Sequence, residues 1–115
     1  MANTFVKFKP AARHPFLGTY MSPPRLHLCR RVKGIDHNHY DSYLLDGIGD
    51  PEADIFVMVE FAYIGWSASY VLSHDLSGYV QLGRTGAGAY IPVPCTRPMN
   101  VNDLENIKPL LARLV

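Results

Sequence analysis

Residues 50–75 read DPEADIFVMVEFAYIGWSASYVLSHD, and whether this stretch coils or pleats decides the fold. Its first residues carry helix-start chemistry: Asp50 suits an N-cap, Pro51 the first helical position, and Glu52 and Asp54 the first turn. From Ile55 to Leu72 the sole formal charge is Glu60, and Ser73, His74, Asp75, Ser77 and Gly78 close the run. At about 1.5 Å per residue, a helix of about 20 residues matches the hydrocarbon thickness of a bilayer. The expected fold is therefore mostly α: one transmembrane helix over about 51–73, extended Pro-rich arms and a short C-terminal helix. A strand reading competes. Trp66, Ala68, Tyr70 and Leu72 alternate with Ser67, Ser69 and Ser73, as in a half-buried strand, which would make a small soluble α+β domain. Against it, a hairpin needs a turn near Ile64-Gly65, where no polar turn residue stands.

Wound on a helical period, the less apolar side chains form a stripe. Glu60, Tyr63, Ser67, Tyr70 and His74 follow three-and-four spacing, and Gly65 with Ser69 forms a small-residue pair that permits close helix approach. Glu60, Tyr63, Gly65, Ser67, Ser69, Tyr70 and His74 are thus the expected partner-helix packing residues. A carboxyl in bilayer costs several kcal/mol unless paired or protonated, so Glu60 should face protein or water. No second ionisable group shares the stretch, which favours a packing carboxyl over a proton relay.

Outward from this segment the chain divides by charge. Residues 1–33 hold Lys7, Lys9, Arg13, Arg25, Arg30, Arg31 and Lys33 and no acid; residues 34–75 hold eight acids and no Lys or Arg. Such blocks suit an arm that meets an acidic partner, lipid headgroups or nucleic acid, or two blocks that neutralise each other within one fold. The expected organisation is a basic extended arm and polar loop over 1–50, the membrane helix over 51–74, and an extended tail over 75–115. That tail ends in a helix over about 103–114, capped by Asn102 or Asp103 and weakened at Pro109. Short strands are also readable at Asn3–Lys9, Arg25–Lys33, Tyr79–Leu82 and Tyr90–Val93, while 37–50 reads as loop. Pro10, Pro15, Pro23 and Pro24 break any amphipathic presequence, and an apolar secretory core is missing.

Chemistry is sparse. Asp36, His37, His39 and Asp41 are the one cluster resembling a metal site, and their adjacency reads better as a polar loop. Cys29 and Cys95 have no ligand spacing. Gly83, Gly86 and Gly88 miss the phosphate-loop patterns, and Ser73, His74 and Asp75 as neighbours make no triad. No catalytic, cofactor or metal residue is assigned, no nucleic-acid module is found, and a non-enzymatic role follows.

The segment from Tyr40 to Asp75 resembles subunit f of the mitochondrial F-type ATP synthase. The resemblance rests on Tyr43 with Asp46-Gly47 before the apolar run, and on Gly65, Trp66, Ser67, Tyr70 and His74 at its end. It departs in its acidic flank, and in the forty residues that follow the apolar run. It implies a non-catalytic accessory subunit of the Fo/peripheral-stalk region, supporting proton-driven ATP synthesis. The subunit would sit in the mitochondrial inner membrane with lipid, subunit a and the peripheral stalk as neighbours. The basic arm would lie on the matrix side, in keeping with the positive-inside tendency. The alternative is a soluble α+β protein-interaction module of viral or inhibitor type.

Overall fold

The computed structural model describes residues 5–10, 22–32, 42–45, 54–84 and 89–114. The decisive stretch pleats. Strands β4 (Asp54–Tyr63) and β5 (Trp66–Leu72) form an antiparallel hairpin in which Tyr63 pairs with Trp66 across a two-residue turn. Gly65 makes that turn possible, since its φ of 89° lies in the left-handed region that side-chain-bearing residues avoid. A polar residue is unnecessary when glycine itself supplies the geometry. The expected helix over 51–73 is thus corrected to a hairpin, and among the described residues no helix is long and apolar enough to cross a membrane. The inner-membrane placement, with its matrix-side arm, depended on that helix and falls with it. The helix-start residues Asp50 to Ala53 lie outside the described residues.

The other strands are β1 (Val6–Lys7), β2 (Arg25–Val32), β3 (Ser42–Leu45), β6 (Gly78–Arg84) and β7 (Tyr90–Pro92). The expected arms are therefore not simply extended chain: parts of 1–50 supply three strands, and 75–115 supplies two more and a helix. Neighbours run β1-β6-β5-β4-β2-β3-β7, every pairing antiparallel, and β7 also pairs with β6. That last contact closes β2 to β7 into a ring. A closed ring has two faces, and alternation sends successive side chains to opposite ones. Cys29, Tyr43, Phe56, Met58, Val71, Val80, Leu82 and Tyr90 form one buried cluster. Each of the ring strands contributes to it, so it is the barrel interior.

Val59, Phe61, Tyr63, Ala68, Tyr70, Leu72 and Tyr79 form a second cluster on the outer wall of β4, β5 and β6. It is covered by Met99 and by Leu104 and Ile107 of helix α1 (Val101–Leu111). Strand β4 is thus apolar on both sides: Phe56 and Met58 point inward, Val59, Phe61 and Tyr63 toward α1. A strand sandwiched between two apolar layers has the composition of a membrane helix, which is why the two readings compete over these residues.

Helix α1 starts upstream of both residues read as its caps. Asn100 is the N-cap: its Oδ1 accepts from the Asp103 N–H at 3.0 Å, and Asp103 Oδ2 accepts from the Asn100 N–H at 3.0 Å. This reciprocal box satisfies donors the first turn would leave orphaned. Pro109 sits on the exposed side of the last turn, where losing one N–H leaves the helix running to Leu111.

Candidate interaction site

The β4–β5 hairpin ends in the most exposed large apolar side chain of the described residues, Ile64, which is 69% accessible. Beneath it the flanking pair is rigid. The Tyr63 and Trp66 rings stack with centroids 4.0 Å apart, and the Arg97 guanidinium lies 3.9 Å from the Trp66 centroid. Arg97 is itself held: its N–H donates to Gln81 Oε1 at 3.1 Å, and its carbonyl accepts from the Tyr70 hydroxyl. Gln81 Oε1 also accepts from the Thr96 N–H at 2.9 Å, fixing the segment that leads to α1. Tyr79 completes the support by accepting from the Met99 N–H at 3.0 Å and lying 3.6 Å from Cys95 Sγ. Burial pushes both phenols, Tyr70 and Tyr79, above their ordinary pKa, so they act as neutral hydrogen-bonding groups.

The inner face of the same hairpin has different chemistry. One cross-strand row, His27–Met58–Val71–Val80, is mostly apolar; the next, Arg25–Glu60–Ser69–Leu82, is largely polar. The barrel interior therefore changes character at this height, which marks a mouth. His27 Nε2 lies 2.6 Å from Glu60 Oε1, with the side chains 27% and 35% accessible. The contact is an ion pair when the imidazole is protonated. It joins β2 to β4 as a cross-strand clasp.

At the opposite end, Phe56 is enclosed by Tyr43, Phe5, the Arg31 guanidinium and the His74 ring, the last stacked at 4.2 Å. Arg31 also pairs with Asp54. In the β5–β6 turn, Asp75 Oδ1 accepts from Ser73 Oγ at 2.9 Å, Ser77 Oγ at 2.6 Å and the Ser77 N–H at 3.0 Å. These donors hold its carboxyl down at a pKa of about 2.

The residues expected to pack on a partner helix are dispersed by the strand period. Glu60, Ser67 and Ser69 share the inner face, Tyr63 and Tyr70 the outer one, Gly65 makes the turn, and His74 belongs to the distant β5–β6 connection. The residues carrying the subunit f resemblance, Gly65, Trp66, Ser67, Tyr70 and His74, likewise stand on this hairpin and the turn after it. Sequence reasoning passed over Ile64, Trp66 and Arg97 as a site. The available signal was Gly65 between two strand-like halves, which places Ile64 at an exposed tip. Asp36, His37, His39 and Asp41 lie outside the described residues, and among the described residues no three His, Cys, Asp or Glu side chains could share a metal ion. Comparison of the chain with protein families, with curated proteins and with solved structures gives no match.

Proposed function

We propose that this chain is a non-catalytic protein-interaction module that docks on its partner through the tip of the β4–β5 hairpin. The observation that carries the reading is Ile64, exposed and presented by a turn whose base is locked by the Tyr63–Trp66–Arg97 stack. Trp, Tyr and Arg dominate interface hot spots because they contribute large contact area with little conformational freedom left to lose. Here that ordering is already complete before binding, the condition under which contact area converts best into affinity. The reading as an accessory component of a larger assembly is of the same kind, with the hairpin rather than a membrane helix as its point of attachment.

The test is photo-crosslinking from position 64 in the cells that make the chain, with exposed position 105 on α1 as control. A partner captured from 64 and not from 105 should lose affinity for Ile64→Asp by about 2 kcal/mol or more. Unchanged affinity, with circular dichroism and melting temperature also unchanged, rejects the reading.

A further inference from the structure

We infer that the place β1 fills on β6 is a docking site for the same strand of a second copy, so that two chains hold each other by a reciprocal swap of β1. The inference is independent of the hairpin tip. It starts from how β1 is attached. The ring of β2 to β7 closes without it: β1 is the last strand in the sheet order, and no described strand lies beyond it. Its pairing covers two positions, Val6 with Tyr79 and Lys7 with Gly78. Side chains on both faces supply the rest of the grip. Residues three apart in extended chain point to opposite sides. Phe5 accordingly reaches the barrel interior and stacks on Phe56 at 6.0 Å, while Phe8 reaches the seam under α1 and meets Tyr79 at 5.1 Å. Both rings are only partly buried, and Val6, Lys7 and Lys9 are exposed.

The place is shaped for this segment. Gly78 leaves room for its backbone, since a Cβ there would stand 2.8 Å from the Val6 carbonyl oxygen and 3.1 Å from Phe5 Cβ. At the far end the Lys9 carbonyl accepts from the Val101 N–H at 2.9 Å, beside the parallel bridge to Asn100. An occupant therefore needs an extended backbone and two aromatic rings three positions apart, one for each apolar layer. The N-terminal segment of another copy meets both conditions by identity, and a reciprocal swap reproduces every contact of the closed single chain. Trading an identical element in this way is a low-cost route to dimers. A terminal strand with so few pairings opens at less cost than the ring does, so concentration sets the balance between one-chain and two-chain forms.

The experiment uses the full chain, isotope-labelled and unlabelled in equal parts, co-refolded at rising concentration. Sedimentation should show a dimer that grows with concentration. Isotope-filtered NMR should place Phe5 of one chain against Phe56 of the other, and Phe8 against Tyr79. Gly78→Ala crowds the site and should weaken the dimer about tenfold or more while the circular dichroism of the ring is retained. A synthetic peptide of residues 5–10 should compete for the place and dissolve the dimer, whereas the same peptide carrying Phe5→Ala and Phe8→Ala should not. Ile64→Asp should leave the dimer unchanged, which separates this contact from the docking tip. A chain that stays monomeric at millimolar concentration overturns the inference. So does a dimer that keeps the Phe5 and Phe8 contacts within one chain, that survives Gly78→Ala intact, or that Ile64→Asp dissolves.

Discussion

At the scale of single residues, backbone geometry rather than contact decides the sharpest outcomes. Gly65 has nothing within 4 Å of the place a Cβ would occupy, so Gly65→Ala tests the positive φ alone. Unfolding by denaturant should show a loss of about 1 kcal/mol, the cost of placing an L-residue in the left-handed region. Gly78 is the opposite case, since a Cβ there would stand 2.8 Å from the Val6 carbonyl oxygen and push β1 off the sheet. Asp75 gives a pH signature. Its pKa is lowered from 3.8 to about 2 in the folded chain, so the stabilisation is complete above the unfolded value and lost as pH falls through the folded one. Asp75→Asn should therefore be less stable than the parent at neutral pH and converge on it between about pH 4 and 2, as thermal melts across that range would show.

At the scale of elements, the helix cap and the two thiols are the places to probe. Asn100 and Asp103 are both buried, so Asn100→Ala removes a cap acceptor that water replaces poorly. A loss near the upper end of the usual range, about 2 kcal/mol, should appear in the unfolding midpoint. Cys29 is inside the barrel and its thiol is pushed up to about 12 by burial, whereas Cys95 is exposed. Mass spectrometry after brief alkylation of the native chain should find Cys95 modified and Cys29 untouched, with both modified in denaturant. The elements also show where sequence was informative. The partial alternation of Arg25–Lys33 was visible, and so was the apolar spacing of Leu104 and Ile107, because α1 has one wet side. Strand β4 was opaque because it carries apolar residues on both sides, which blurs its period, and because Asp50-Pro51 reads as a helix start. The tip was misread through one residue, because a turn that depends on Gly65 needs no hydrophilic partner at Ile64.

At the scale of the molecule, two apolar layers share the load, the barrel interior and the seam under α1. Ile107 is fully buried in that seam, and Ile107→Ala should cost about 2–5 kcal/mol, the range for emptying a packed site. If α1 is a latch rather than an ornament, the loss should appear as one cooperative transition by circular dichroism and by tryptophan fluorescence, since Trp66 packs against the same cluster. What sequence could not convey at this scale was the closure itself. Tyr43 and Tyr90 are far apart in the chain and meet across β3 and β7 through pairings that no local pattern announces.

That meeting has its own consequence. Among the described residues β3 and β7 touch in register only at Tyr43 and Tyr90, whereas β2 and β4 are zipped along nearly their whole length. Among the described residues the ring is fastened least at this joint, so it should give way there first. Parting there uncaps two ribbons of unsatisfied amides at once, the raw material for strand exchange between molecules, and a crowded or heated sample should begin to gel from that joint outward.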